Sequence, residues 1–144
     1  MTLKSYLDSA MSGGCSLPNL LDPVGSRPPA ERGVYVVISG DRVVYVGKTS
    51  QRGGLRDRIA DFVSDAIGLN TPEHGRHSGG ARIRQTFAPS DVLKLEILWL
   101  ANPTCIPCTE HELYQELKPT ANKREVKPCG KHDPALSLKG GLDD

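Results

Sequence analysis

The amino-acid sequence predicts an α/β (α+β) fold in which helices flank a small three-stranded, mainly antiparallel sheet. Two runs rich in β-branched residues, 34–38 and 43–46, are separated by a turn in which Gly40 supplies the positive φ that a tight hairpin needs. Apolar residues then recur at helical spacing, and residues 92–100 predict a third strand. The order of these elements, β-β-α-α-β-α, predicts the fold class.

Three of the predicted helices follow from apolar spacing. Residues 3–11 predict a short helix before the hairpin, and residues 81–87 predict another short one later in the chain. The main helix directly follows the hairpin. Its apolar stripe consists of Leu55, Ile59, Phe62, Val63, Ala66 and Ile67.

The last helix carries explicit boundary signals. Thr109 and Glu112 match a capping box, which predicts that the helix begins there. Lys118 is predicted to end it, because Pro119 pushes the preceding residue out of the α region. Before this helix, alternate residues of the third strand predict one apolar face, formed by Leu93, Leu95, Ile97 and Trp99.

The chain of 144 residues fits one domain. Residues 1–32 are predicted to be a lead-in that packs on the domain, residues 33–132 the domain itself, and residues 133–144 a disordered tail. Hydrophobic residues make up 38% and charged residues 24%, which is typical of a globular protein. No apolar run is long enough for a membrane span and no secretory signal is visible, so the expected location is the cytoplasm.

Charge is segregated along the chain although the net charge is only +1. Residues 42–84 contain eight Lys or Arg against four Asp or Glu, and residues 118–132 contain five against one. Residues 85–117 contain one Lys against five acids. Such segregation permits a basic face for phosphate beside an acidic patch for a cation, although scattered surface charge explains the counts equally well.

Two tripeptides on the predicted hairpin carry the functional signal. Gly33-Val34-Tyr35 lies on the first strand and Tyr45-Val46-Gly47 on the second, so the tyrosines are ten positions apart. These motifs resemble those of the GIY-YIG nuclease family. The resemblance covers about residues 33–122 and continues with Lys48, with Arg58 in segment 55–59, with Glu110, and with Pro119-Thr120-Ala121-Asn122.

The resemblance implies a GIY-YIG nuclease-like fold and an endonuclease that hydrolyses DNA phosphodiester bonds with Mg²⁺ or Mn²⁺; RNA is not excluded as substrate. It implies that Tyr35 is the general base, that Tyr45 positions substrate or shares this role, and that Lys48 and Arg58 stabilise the phosphate. Glu110 would hold the metal. A tyrosine with an ordinary pKa of about 10 is a poor base at neutral pH, so we expect nearby cations to lower that value.

Helical position gives Arg58 and Glu110 support that is independent of the resemblance. Arg58 borders the apolar stripe and can present its guanidinium from a fixed place; the alternative is an arginine whose stem covers the edge of the core. Glu110 begins the stripe that continues at Leu113, where a carboxylate needs a partner such as Mg²⁺. The alternative for Glu110 is a favourable acid in the first turn of a helix.

The hairpin imposes a geometric condition on the two tyrosines. A clean two-residue loop would pair Tyr35 with Val46 and place Tyr35 and Tyr45 on opposite faces of the sheet. A three-residue loop would set Tyr35 directly across from Tyr45. A shared site therefore predicts an odd loop or a β-bulge.

Further candidates surround this set. His77 is a candidate for proton transfer because histidine titrates near neutrality. The substrate-binding candidates, each equally explained as solvated surface or a loop brace, are Arg56, Arg76, Arg82, Arg84 and Asn122.

The cysteines indicate a second site. Cys105-x₂-Cys108 and Cys129-x₂-His132 are separated by twenty residues, a spacing compatible with structural Zn²⁺. Unliganded thiols remain an open alternative, and so does a disulfide or redox pair.

The function predicted from these features is divalent-metal-dependent endonucleolytic cleavage. The alternatives are a non-catalytic nucleic-acid-binding module of the same fold and a thiol redox protein that uses Cys105 and Cys108. The expected partner is DNA, and no association with a membrane is expected. A homodimer or a protein partner that supplies specificity remains open.

Overall fold

The computed structural model describes residues 3–69 and 78–119, without the side chains of Lys4 and Ser78. Within these ranges four strands form one antiparallel sheet in the order β1-β4-β2-β3. The strands are β1 (Gly13–Ser16), β2 (Gly33–Ser39), β3 (Arg42–Thr49) and β4 (Glu96–Ala101). The helices are α1 (Leu3–Ala10), α2 (Leu17–Leu21), α3 (Gly54–Ile67), α4 (Ser78–Thr86), α5 (Pro89–Val92) and α6 (Ile106–Leu117).

The sheet has a hydrophobic cluster on each face. Side chains alternate along a strand, so Tyr35 and Val37 of β2 point to one face and Val34 and Val36 to the other. The first face packs against α3, including Phe62. The second face packs against α1 and α6. Because β2 lies between two covered faces, it is an almost continuous apolar run, as central strands are.

The mixed α/β class and the antiparallel hairpin are confirmed, but the predicted number of strands is wrong. The described residues contain a fourth strand, β1, which pairs with β4 at the edge opposite β3. This strand has only four residues, and Gly13 and Gly14 begin it. A Cβ at Gly13 would overlap the Trp99 indole, so glycine is needed for the close approach of these strands.

The third predicted strand begins later than expected. Residues 89–92 form the short helix α5, and β4 begins only at Glu96. Leu95, Ile97 and Trp99 are buried as predicted, whereas Leu93 is 47% exposed. The predicted apolar face at every second residue is therefore present from Leu95 onward but not at Leu93.

The predicted capping box is wrong because α6 begins three residues earlier, at Ile106. Pro107 occupies the first turn, where a helix has no need of its missing N–H. Thr109 is consequently inside the helix and fully buried. The predicted end is confirmed, since Lys118 adopts a left-handed conformation with φ 46° just before Pro119.

Candidate active site

A β-bulge places Tyr35 and Tyr45 on the same face of the hairpin. The turn itself has two residues, since Ser39 pairs with Arg42. Val37 pairs with Tyr45 but Ile38 pairs with Val43, so one extra residue of β3 is accommodated between them. The predicted bulge is confirmed. The alternative of a three-residue loop is not the one found, and Tyr35 lies opposite Gly47 rather than Tyr45.

Gly47 makes room for the Tyr35 side chain on β3. A Cβ at Gly47 would overlap the end of the Tyr35 phenol and lie 2.5 Å from its hydroxyl oxygen. That is far inside any real Cβ contact, so the ring of Tyr35 crosses β3 where a side chain is missing. The Tyr35 side chain of the first motif therefore explains why the second motif has a glycine at position 47.

The two tyrosines form one aromatic group with Phe62 of α3. The ring centroid of Tyr45 lies 6.0 Å from that of Tyr35 and 5.5 Å from that of Phe62, on which it stacks. Tyr35 is fully buried, whereas Tyr45 is half-buried. A hydrogen bond joins the two hydroxyls. Sequence reasoning assigned Phe62 to the core and missed its contact with the site.

Two arginines bring positive charge to the tyrosines. Arg58 of α3 lowers the pKa of both phenols, and Arg82 of α4 lowers that of Tyr45. Burial has the larger effect, so the pKa of each tyrosine is raised above its ordinary value. The expectation that neighbouring cations bring the tyrosine pKa down is therefore wrong for the protein without substrate or metal, where both phenols are neutral.

Lys48 and Glu110 form an ion pair beside this group. The Lys48 Nζ lies 3.4 Å from Glu110 Oε1, and the side chains are 45% and 9% exposed respectively. Burial raises the pKa of Glu110, and the Lys48 ammonium opposes that shift. The buried carboxylate does have a partner, as expected, and within the described residues that partner is Lys48.

The site surrounds the edge strand rather than lying on one face. Tyr35 and Tyr45 point to the α3 face, whereas Lys48, opposite Val34, points to the α6 face where Glu110 lies. The charge of Glu110 nevertheless raises the pKa of both tyrosines, so the two halves are close. Because β3 is an edge strand, both halves meet where no further strand separates them.

Two other predicted substrate-binding residues lie away from the tyrosines or serve the fold. Arg56 is exposed, and its Nε donates to the Pro28 carbonyl at 3.0 Å. Arg84 passes beside Gly68 at the C-terminus of α3, where a cation is favourable. Neither is among the charges that act on the phenols.

The first turn of α4 also approaches the site. A Cβ at Gly79 would overlap the Tyr45 ring, and one at Gly80 would overlap the Phe62 carbonyl. These two glycines precede the helix predicted over residues 81–87, but α4 begins at Ser78 and includes them, and they allow it to approach α3. The Gly-Gly pair next to an apolar helical pattern was the available signal.

Several predicted residues lie outside the described ranges: His77, Arg76, Asn122, Cys129 and His132. Cys105 and Cys108 are described; they are buried at the start of α6, and neither forms a disulfide with another described cysteine. The described residues contain no group of three or more potential metal ligands. The zinc site, two of whose ligands are not described, therefore stays a prediction.

Comparison with known proteins adds no relative to this description. No protein-family model, curated protein or solved structure matches the chain. Among the described residues, no helix has the length and apolar character needed to cross a membrane.

Proposed function

We propose that the chain is a divalent-metal-dependent endonuclease, similar to GIY-YIG nucleases, that hydrolyses DNA phosphodiester bonds. The proposal is carried by one observation: Tyr35, Tyr45, Arg58, Lys48 and Glu110 come together at the edge of β3 from four separate elements. Phosphodiester hydrolysis needs a proton acceptor, positive charge for the non-bridging oxygens and help for the leaving oxygen. The set contains side chains for the first two needs and a carboxylate suited to a cation for the third.

Glu110 fits a Mg²⁺ or Mn²⁺ ligand. Mg²⁺ is usually bound through one or two carboxylates, with water and substrate phosphate completing its shell. Burial makes the ionised form of Glu110 unfavourable, and Lys48 compensates for this only in part. A further cation would therefore stabilise the ionised carboxylate. When bound, the metal supplies charge stabilisation for the leaving oxygen.

Arg58 and Lys48 would contact the phosphate from opposite sides of the edge strand. Arg58 is half-buried on α3, so its guanidinium is presented from a rigid element with little freedom to lose. Lys48 is nearly half exposed, so its ammonium can leave Glu110 for a phosphate oxygen when substrate arrives. Both cations would stabilise charge that develops on the non-bridging oxygens.

We assign proton acceptance to Tyr45 and positioning to Tyr35, which reverses the roles that the resemblance implies. Tyr45 is the partly exposed phenol, so a water molecule can reach its hydroxyl, whereas Tyr35 is fully buried. Because burial raises the pKa of Tyr45 at rest, its proton must be lost only when additional positive charge enters the site.

The test is plasmid nicking in Mg²⁺ by the wild type and a matched pair of variants on α6. Glu110→Gln keeps the size and removes the charge, and it should reduce cleavage by about 100-fold or more. Glu116→Gln, six residues along the same helix, should cleave like the wild type. Binding without cleavage by the wild type would favour the non-catalytic module, and equal nicking by Glu110→Gln would reject this site.

The same assay separates the two tyrosines. Tyr45→Phe should lose about 100-fold or more of the cleavage rate, the range for removal of a general base, whereas Tyr35→Phe should retain part of it. The opposite ranking would restore Tyr35 as the base.

A further inference from the structure

A basic groove lies beside the ion pair between Lys48 and Glu110, on the side away from the tyrosines' aromatic group. It has a volume of about 260 Å³. Its described lining contains two cations, Arg32 and Lys48, two hydroxyls, and no acidic residue. The hydroxyls are those of Ser50 and Thr104, and Pro103 also lines the groove.

The backbone of Arg32 is fixed although its side chain is exposed. Its carbonyl accepts a hydrogen bond of 2.8 Å from the Asn102 amide. The preceding residue, Glu31, accepts one of 2.8 Å from the Leu55 amide at the start of α3, and its carboxylate accepts one from the Asn102 side chain. The backbone of Arg32 is therefore held in place by hydrogen bonds immediately before β2.

The Arg32 guanidinium is available for a ligand. Within residues 3–69 and 78–119 it makes no ion pair, and Glu31, its acidic neighbour, is engaged by Asn102. Asn102 has a positive φ of 53°, which turns the chain so that Pro103 and Thr104 form one wall of the groove. Cations and hydroxyls without a carboxylate are the composition of a phosphate site.

We propose that this groove binds a nucleic-acid backbone phosphate flanking the scissile one, with Arg32 as its main contact. The inference rests on the proposed function and extends it, because Lys48 belongs both to the groove and to the candidate active site. A strand that places its scissile phosphate at Arg58 and Lys48 then continues along the end of β3 toward Arg32. Hydroxyls of Ser50 and Thr104 line that path and can donate to phosphate oxygens.

The experiment measures binding of a labelled DNA duplex of about 20 base pairs by fluorescence anisotropy between 50 and 200 mM salt. All proteins carry Glu110→Gln so that cleavage does not interfere. Arg32→Ala should reduce the slope of log K against log salt by about 0.9 and weaken binding about tenfold at 0.1 M salt, as loss of one phosphate contact does. Arg32→Lys retains the charge and should retain most of the slope.

Arg42→Ala is the matched control. Arg42 is also exposed and begins β3, about 20 Å along the strand from Lys48. The same loss of charge there should change affinity less than about twofold. Equal effects of Arg32→Ala and Arg42→Ala would overturn the inference, because the effect would then be one of net charge.

Failure of this inference and failure of the proposed function are distinguishable. If the wild type cleaves DNA and Arg32→Ala leaves the salt slope unchanged, the groove is not a phosphate site although the nuclease assignment stands. If the wild type does not cleave but Arg32→Ala still reduces the slope of log K against log salt by about 0.9, the groove is a phosphate site of a binding module. Absence of any binding would overturn both.

Discussion

Lys48 affects two separate properties of the site. Its ammonium is the partner of Glu110 and lines the groove toward Arg32. It stands on the face of β3 opposite to the tyrosines, which the alternation of a strand requires of the residue after Gly47. A single cation at this position therefore connects the carboxylate proposed to bind a metal with the proposed substrate path.

The pH dependence of cleavage should reveal this partnership. Glu110 must be ionised to hold a divalent cation, so activity falls as pH drops through its pKa. Burial raises that pKa and Lys48 lowers it, so Lys48→Met should move the acidic limb of the pH–rate profile to higher pH. Lys48→Arg should leave the limb close to its wild-type position, and an unmoved limb in Lys48→Met would contradict the pairing.

The raised pKa of Glu110 also determines how its ionisation affects the stability of the folded protein. A carboxyl whose pKa is raised on folding favours the folded state while it is protonated, and this contribution is lost as pH rises through the folded pKa. Glu110 therefore opposes stability once ionised, more so without Lys48.

At the scale of elements, the hairpin and α3 could be predicted from sequence because both have strong local signals. The Gly40 turn and the β-branched runs specify β2 and β3, and the stripe from Leu55 to Ala66 specifies α3. The bulge was predicted only from the requirement that two tyrosines share a site. Its position was not predictable, because the choice between a bulge and a longer loop depends on packing of the whole hairpin.

Other elements were missed for physical reasons that are also local. β1 is short and glycine-rich, and it forms a strand only because β4 lies beside it. The start of α6 was misplaced because Thr109 and Glu112 satisfy a capping pattern that the buried Thr109 does not use. Tertiary contacts decided both cases, as they often override local preferences.

The contact between β3 and β2 at Gly47 predicts a coupled effect on stability. Gly47→Ala adds a Cβ into the Tyr35 phenol, and such overpacking typically destabilises a core by about 1–3 kcal/mol. Tyr35→Leu removes the phenol, so the alanine should cost less than half as much in that background. Urea denaturation of the wild type, both single variants and the double variant measures the coupling. Additive free energies of unfolding would show that the two residues do not meet.

At the scale of the whole molecule, the candidate site was predicted in its membership more than in its geometry. Tyr35, Tyr45, Lys48, Arg58 and Glu110 do come together. Their division between the two faces of an edge strand could not be predicted, since strand order is a property of the sheet rather than of any segment. The raised pKa of each tyrosine was missed for a similar reason, because burial is set by the elements that pack on the hairpin.

The predicted zinc site would connect the chain after α6 to the start of that helix. Cys105 and Cys108 are buried at the start of α6, with Cys105 preceding the helix and Cys108 in its first turn. If Cys129 and His132 complete the set, Zn²⁺ would tie that chain to the end of the helix that carries Glu110. Binding of a metal to the folded form alone would then stabilise the protein.

Metal analysis of protein purified without chelator should find about one Zn²⁺ per chain. Cys129→Ser and His132→Ala should each reduce this content and lower Tm, whereas Cys15→Ser, on β1 and outside the set, should leave the zinc content unchanged. A chelator should lower the Tm of the wild type toward that of Cys129→Ser but leave the variant unaffected. If the protein as purified without chelator contains no metal, four titratable thiols would establish unliganded cysteines and two would establish a disulfide, and either result rejects the zinc site.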